Sequence, residues 1–197
     1  MLHNNIENVA KPQVETLAPS SKLDAINPSE IPLMKMEESF QKALEYMKTH
    51  LSKEEFSTYT EILNDKNFET KGDAIYEFAM TCLSSQKNPD IKNLLLIQAS
   101  SFYLSAGLEY LEKEDVSKAA YLLTKNINTY EKTFAEPHHQ YSRNKTIAYF
   151  AQLTAEVSLM AGNNFEAIKY SEKAAKYYSS INDIDKANQM KSLINKK

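Results

Sequence analysis

The chain has 197 residues, 42% of them apolar and 25% charged, which supplies one domain with a core that needs no covalent staples. Its net charge of -3 arises from nearly balanced acids and bases, and Arg143 is the only arginine; nucleic-acid readout and bidentate phosphate clamps lean on arginine, so the balance argues against both. Three glycines and no Asn-Gly or Asp-Gly pair are too few turn formers for an all-β or α/β fold, and the single cysteine, Cys82, excludes an intramolecular disulfide and reads as a core thiol in a reducing compartment.

The first 33 residues differ from the rest. Pro12, Pro19, Pro28 and Pro32 punctuate a stretch rich in Asn, Ser and Glu, with no apolar run long enough to bury a face, so residues 1–33 are expected to be a disordered or mobile polar tail. Met1 to Ala10 carries three Asn and a Glu, where a secretory signal needs a charged start and about 7 to 15 apolar residues. No segment reaches the roughly 18 uninterrupted apolar residues of a membrane span. The expected location is cytoplasmic. The alternatives for the tail are a delivery signal for export without a cleavable apolar core, and a segment that folds back into the domain's own groove.

From Met34 onward helical periodicity is nearly continuous, so residues 34–197 are expected to form a single helical domain of seven or eight helices. Phe40, Ala43, Leu44 and Met47 make the first stripe. Ser52 with Glu55 three residues later is a capping box that opens a second, short helix from about Lys53 to Asn64. A third starts at Asp73 or in the turn before it and runs through Leu83, ended by Asn88-Pro89. The fourth, Asp90 to about Lys113, is apolar on two sides and therefore packs on two sides. Val116, Ala119, Ala120, Leu123, Ile127, Tyr130 and Phe134 give the fifth a single stripe. After Glu136-Pro137-His138-His139 a long sixth helix reaches Gly162. Asn163 and Glu166 stand at capping-box spacing for a seventh, Phe165 to Ile181. The last, about Asp183 to Asn195, is polar on most sides, with Ala187 placed on its exposed surface and a lysine-rich end that suits a solvated cap.

Small residues recur along these helices. Ala74, Ala119 and Ala167 each open a similar amphipathic stretch at spacings of 45 and 48 residues, the length of two helices and two turns. Tyr103-x3-Gly107-x2-Tyr110, followed by Ala119 and Leu123, resembles the tetratricopeptide repeat, and Ala155, Gly162, Asn163 to Ile168 and Ala174 repeat much of it. The simplest such repeat is about 34 residues long; the longer step here resembles the long-helix varieties of vesicle-fusion adaptors and kinesin light chains. Helices approach closely only where side chains are small, which places Gly107, Ala119, Ala155 and Ala167 at crossings.

The resemblance implies an all-α fold of antiparallel helix pairs stacked into a short right-handed array or compact bundle. It also implies a concave surface, lined by the first helix of each pair, that holds a protein segment. The residues it would place there are Ser101, Leu104, Leu108 and Leu111 from one unit and Tyr149, Gln152, Glu156 and Leu159 from the next. Lacking the Lys and Asn that grip a C-terminal carboxylate, this set suits an amphipathic helix or an extended apolar segment. The alternative is that long helices close the groove, in which case Leu104, Leu108 and Leu159 are core. The implied function is a non-enzymatic adaptor or scaffold; the alternatives are a dedicated chaperone or exported interaction factor using the same groove and, as a minority reading, an enzyme of unknown chemistry. No cofactor is expected. His138-His139 beside Glu136 lacks the spacing of a closed metal site, and nothing near Cys82 supplies a base for a thiol nucleophile, so neither a metal nor a catalytic residue is assigned.

Overall fold

The computed structural model describes residues 36–194, with side chains from Gln41 to Leu193; the expected polar tail, residues 1–33, lies outside them. Among the described residues there are nine α-helices and no strand: α1 (Met36–His50), α2 (Lys53–Leu63), α3 (Phe68–Thr81), α4 (Leu83–Lys87), α5 (Pro89–Glu112), α6 (Val116–Tyr130), α7 (Gln140–Met160), α8 (Asn164–Ser180) and α9 (Ile184–Ile194), with a 3-10 turn at Pro137–His139.

Local chemistry explains where these helices begin and end. The capping box of α2 is complete: Glu55 N–H donates to Ser52 Oγ at 3.2 Å, and Ser52 N–H donates to Glu55 Oε2 at 2.9 Å. Helix α3 starts five residues before Asp73, because Asn67 Oδ1 accepts from the N–H groups of Glu69 and Thr70. It also stops short of Leu83. Cys82 is extended there, and its Sγ accepts from Ser85 N–H, which opens the additional short helix α4. Helix α6 ends at Tyr130 rather than Phe134, because the Asn93 side chain takes both backbone groups of Phe134: Oδ1 accepts from its N–H at 2.9 Å and Nδ2 donates to its carbonyl at 3.2 Å.

Three junctions share one design. Glu114, Gly162 and Asn182 stand in the left-handed region at φ 61°, 72° and 61°, just past the ends of α5, α7 and α8. The next residue in each case, Asp115, Asn163 or Asp183, donates its N–H back to the carbonyl of Tyr110, Ser158 or Tyr178. Its side chain then accepts from the N–H of Lys118, Glu166 or Lys186 and starts the following helix. The expected box at α8 is thus half formed, for Glu166 reaches Lys169 instead. Four residues beyond each cap comes Ala119, Ala167 or Ala187, exposed by 0%, 6% and 1%. Ala187 is therefore buried, contrary to expectation, since it occupies the same station as the other two.

Neighbours in sequence pack as neighbours in space. Helix α5 lies against α3 and α6, α7 against α6 and α8, and α9 against α8. The buried positions on α3, α6 and α8 correspond: Gly72, Ala119 and Ala167, then Ile75, Leu122 and Tyr170, then Ala79, Asn126 and Ala174, at steps of 47 and 48. The first unit is thus displaced by two residues from the spacing anchored on Ala74, which is only half-buried. Gly107 abuts α6, where a Cβ would lie 3.1 Å from Leu123. Side chains also join helices that do not follow one another in the chain. Lys118 and Lys125 of α6, and Lys132 just past its end, reach Glu69, Asp73 and the Tyr76 hydroxyl of α3. Asn128 of α6 and Glu131 at its C-cap take Tyr170 and Lys173 of α8.

Candidate functional site

Where the first turns of α5 and α7 approach the segment after α6, they enclose an open trough of about 380 Å3. Its α5 wall is Asp90, Asn93 and Ile97, its floor runs from Tyr130 to Glu136, and its α7 wall is Ser142, Arg143 and Thr146, with His139 at the edge. Two devices hold this shape. One is the Asn93 clamp on Phe134, which pins the floor to α5. The other is Arg143, whose Nε donates to the Thr133 carbonyl at 3.1 Å and whose Nη2 donates to the Glu131 carbonyl at 3.0 Å. The only arginine therefore caps the negative end of α6. Tyr130 meets Phe150 edge to face at 5.3 Å; burial raises the pKa of its hydroxyl, against smaller opposing effects of a hydrogen bond with Thr146 and the charge of Arg143. Phe134 remains 44% exposed, an apolar surface amid polar rims.

Below the trough the chain supplies the residues singled out from sequence. Ser101 is half-buried, one turn from Ile97, and donates its hydroxyl to the Ile97 carbonyl at 3.0 Å. Leu104 and Leu111 are 2% and 6% exposed, so they are corrected from groove to core. They share a helical stripe with Ser100, which bonds Asn126, and Gly107, which abuts Leu123; that stripe faces α6. Leu108, Tyr149, Gln152 and Glu156 are half-buried. The Gln152 amide is committed within the protein: Nε2 donates to Glu156 at 3.0 Å and Oε1 accepts from the Tyr178 hydroxyl at 2.6 Å. Leu159, at the far end of α7, is 44% exposed. Apolar periodicity could not divide these positions, because a helix packed on two sides has stripes on both.

Sequence reasoning passed over Asn93, whose clamp joins residues 41 apart, and the lysine and tyrosine network between α3, α5 and α6. There Asp73 accepts from both the Tyr103 hydroxyl and Lys125. Burial alone would raise the Asp73 pKa, but those two donors hold it below the ordinary carboxylate value. Lys125 also stands 4.6 Å from the centre of the Tyr103 ring and 5.5 Å from that of Tyr121. The signal available in the sequence was the seven-residue spacing of Lys118, Lys125 and Lys132.

His138 and His139 are exposed with ring centroids 4.0 Å apart, and no cluster of three or more His, Cys, Asp or Glu is arranged for a metal among the described residues. Cys82 is buried, its sulfur engaged by Ser85 N–H at 3.4 Å. No helix of the described residues is long and apolar enough to cross a membrane. Comparison with protein-family models, with curated proteins and with solved structures found no match.

Proposed function

We propose that the chain is a non-enzymatic interaction module built from tetratricopeptide-like helix pairs, which holds a helical or extended apolar segment of another protein. The observation that carries this reading is the trough between the first turns of α5 and α7, where Phe134 presents an apolar surface within polar rims; the half-buried Ser101 and Tyr149 stand one helical turn beyond its lining residues Ile97 and Thr146. A helical segment would dock its anchors at i, i+3 or i+4 and i+7 along such a surface. The matched burial of Gly72, Ala119 and Ala167 supports the pairwise stacking from which the trough arises. The buried Leu104 and Leu111 shorten the binding face and put its apolar anchor at Phe134 rather than along the α5 leucines.

Photo-crosslinking tests the proposal. A photoreactive amino acid placed at Ile97, Ser101 or Phe134 should capture one defined segment from cells that make the protein, whereas probes at the exposed Glu172 and Lys176 of α8 should not. Equal capture from both sets would overturn the reading. A captured partner that is insoluble alone would point to chaperone action, and a set of soluble partners to an adaptor.

A further inference from the structure

We infer that the turn joining α7 to α8 docks on a lipid surface, inserting Leu159, Met160 and Phe165 to the depth where headgroups meet acyl chains. This face is separate from the trough, which lies at the opposite end of α7, a helix of 21 residues and so about 30 Å long.

The three matched junctions show that the fold itself does not ask for apolar residues here. Counting from Glu114, Gly162 and Asn182, the station of Met160 is held by Glu112 and Ser180 in the other two, and that of Phe165 by Ser117 and Asp185. All four are exposed, as their polarity requires. The station of Leu159 falls to Leu111 after α5, which is buried, and to the exposed Ser179 after α8. Of the three junctions, only the α7–α8 turn sets three large apolar side chains in solvent. Phe165, at 77%, is the most exposed large apolar residue among those described.

Shape, charge and hydrogen bonding decide what covers them. Leu159, Met160 and Phe165 line neither the trough nor the hollow between α6, α7 and α8, so they grip no protein segment in a groove. One turn also offers far less than the roughly 800 Å2 per partner of a stable protein interface, which a second copy of the chain would need. A lipid surface requires neither, since it moulds to the apolar group that enters it. From Val157 to Phe165 the sequence carries no charge, and the flanking charges are bonded within the protein, Glu156 by Gln152 Nε2 and Glu166 by Lys169; no charge has to leave water on insertion. The N–H groups of Ala161, Gly162 and Asn163 donate to the carbonyls of Val157, Leu159 and Ser158 at 2.9, 3.1 and 2.8 Å, so shallow burial strands none of these donors. Tyr121 stands beside the turn, sharing the hollow with Ala161 and Asn163. Its exposed ring, with Lys118 at 5.1 Å and Lys125 at 5.5 Å, is of the amphipathic kind that settles at headgroup level.

Vesicles of dioleoylphosphatidylcholine test this with the full-length chain. The protein contains no tryptophan, so Phe165→Trp places a single reporter in the turn. Its emission is expected to move to the blue on addition of vesicles and to be quenched by brominated acyl chains, whereas Leu83→Trp, an exposed site at the start of α4, should respond to neither. In flotation, Phe165→Ser should lower the parent's partitioning about tenfold or more, at an unchanged melting midpoint because the ring lies outside the core. Emission unmoved by vesicles, an equal response from Leu83→Trp, or partitioning undiminished in Phe165→Ser would each overturn the proposal. So would a blue shift that needs no vesicles and grows with protein concentration, which would assign the turn to a second copy of the chain.

Discussion

Gly72 of α3 lies directly against Tyr103 of α5: a Cβ on the glycine would sit 2.7 Å from Cε1 of the ring. The ring cannot swing aside cheaply, because its hydroxyl donates to Asp73 at 2.6 Å and Lys125 stands over its face. Burial, reinforced by the bond to Asp73, pushes the tyrosine hydroxyl's pKa upward, so it keeps its proton as the donor. Gly72→Ala is therefore expected to lower stability by about 1 to 3 kcal/mol, the overpacking cost exceeding the gain of roughly 1 kcal/mol in helix propensity. Gly107→Ala meets Leu123 Cδ2 and Cγ at 3.1 Å and the Ala119 carbonyl at an ordinary 3.6 Å, a looser contact than at Gly72, and should stay within about 1 kcal/mol of the parent. Urea midpoints of the two variants check the contrast; equal losses would mean that the Tyr103 wedge is not rigid.

Helix crossings are tested by enlarging their alanines. Ala119→Leu, Ala167→Leu and Ala187→Leu should each cost about 1 to 3 kcal/mol, because all three alanines are buried at equivalent stations after a capped junction. Asn188, the exposed neighbour of Ala187, is the control: Asn188→Leu should change stability by less than about 0.5 kcal/mol. A neutral Ala187→Leu in chemical denaturation would remove α9 from the packed array.

Acid should loosen the attachment of α2 to α4. Glu55 accepts from Ser52 N–H, Ser84 N–H and Ser84 Oγ. Burial pulls its pKa up, but the bonds from Ser84 and Ser52 outweigh it and bring the carboxyl from 4.5 down to about 2. A depressed carboxylate contributes stability that is complete above its unfolded pKa and is lost as pH falls toward the folded one, so the loss belongs between about pH 5 and 2. Glu55→Gln should cost about 1 to 2 kcal/mol at pH 7 and flatten the stability profile across that window. A profile as steep as the parent's would assign the acid sensitivity to other carboxylates.

Asn126 is wholly buried, and its Nδ2 donates to the Ser100 carbonyl and hydroxyl at 2.9 Å each, joining α6 to α5. Asn126→Asp removes both donors and buries a charge beside two oxygens, which is expected to cost more than about 3 kcal/mol at pH 7 and to recover in part as the acid protonates. Thermal melts at pH 7 and 4.5 measure this; a melting point independent of pH would show that the site admits water.

Much of the architecture is legible in the residues themselves. Scarce glycine, the Ser52 and Glu55 box, Asn88-Pro89 and the stripes of α5 to α8 each report on backbone hydrogen bonding within one or two turns, and such local chemistry survives into the fold. The burial of Ala187 was also written locally, in the likeness of Asn182-Asp183-x2-Lys186-Ala187 to Glu114-Asp115-x2-Lys118-Ala119. What only the tertiary structure decided depends on partners far apart in the chain. Asn93 ends α6 from 41 residues away, Tyr103 selects Gly72 rather than Ala74 as the crossing point, and the packing of α6 on α5 turns Leu104 and Leu111 inward while Phe134 stays in solvent. A stripe of apolar residues records that a helix face is covered. Which neighbour covers it is set by how the long-range contacts close, and no single helix carries that information.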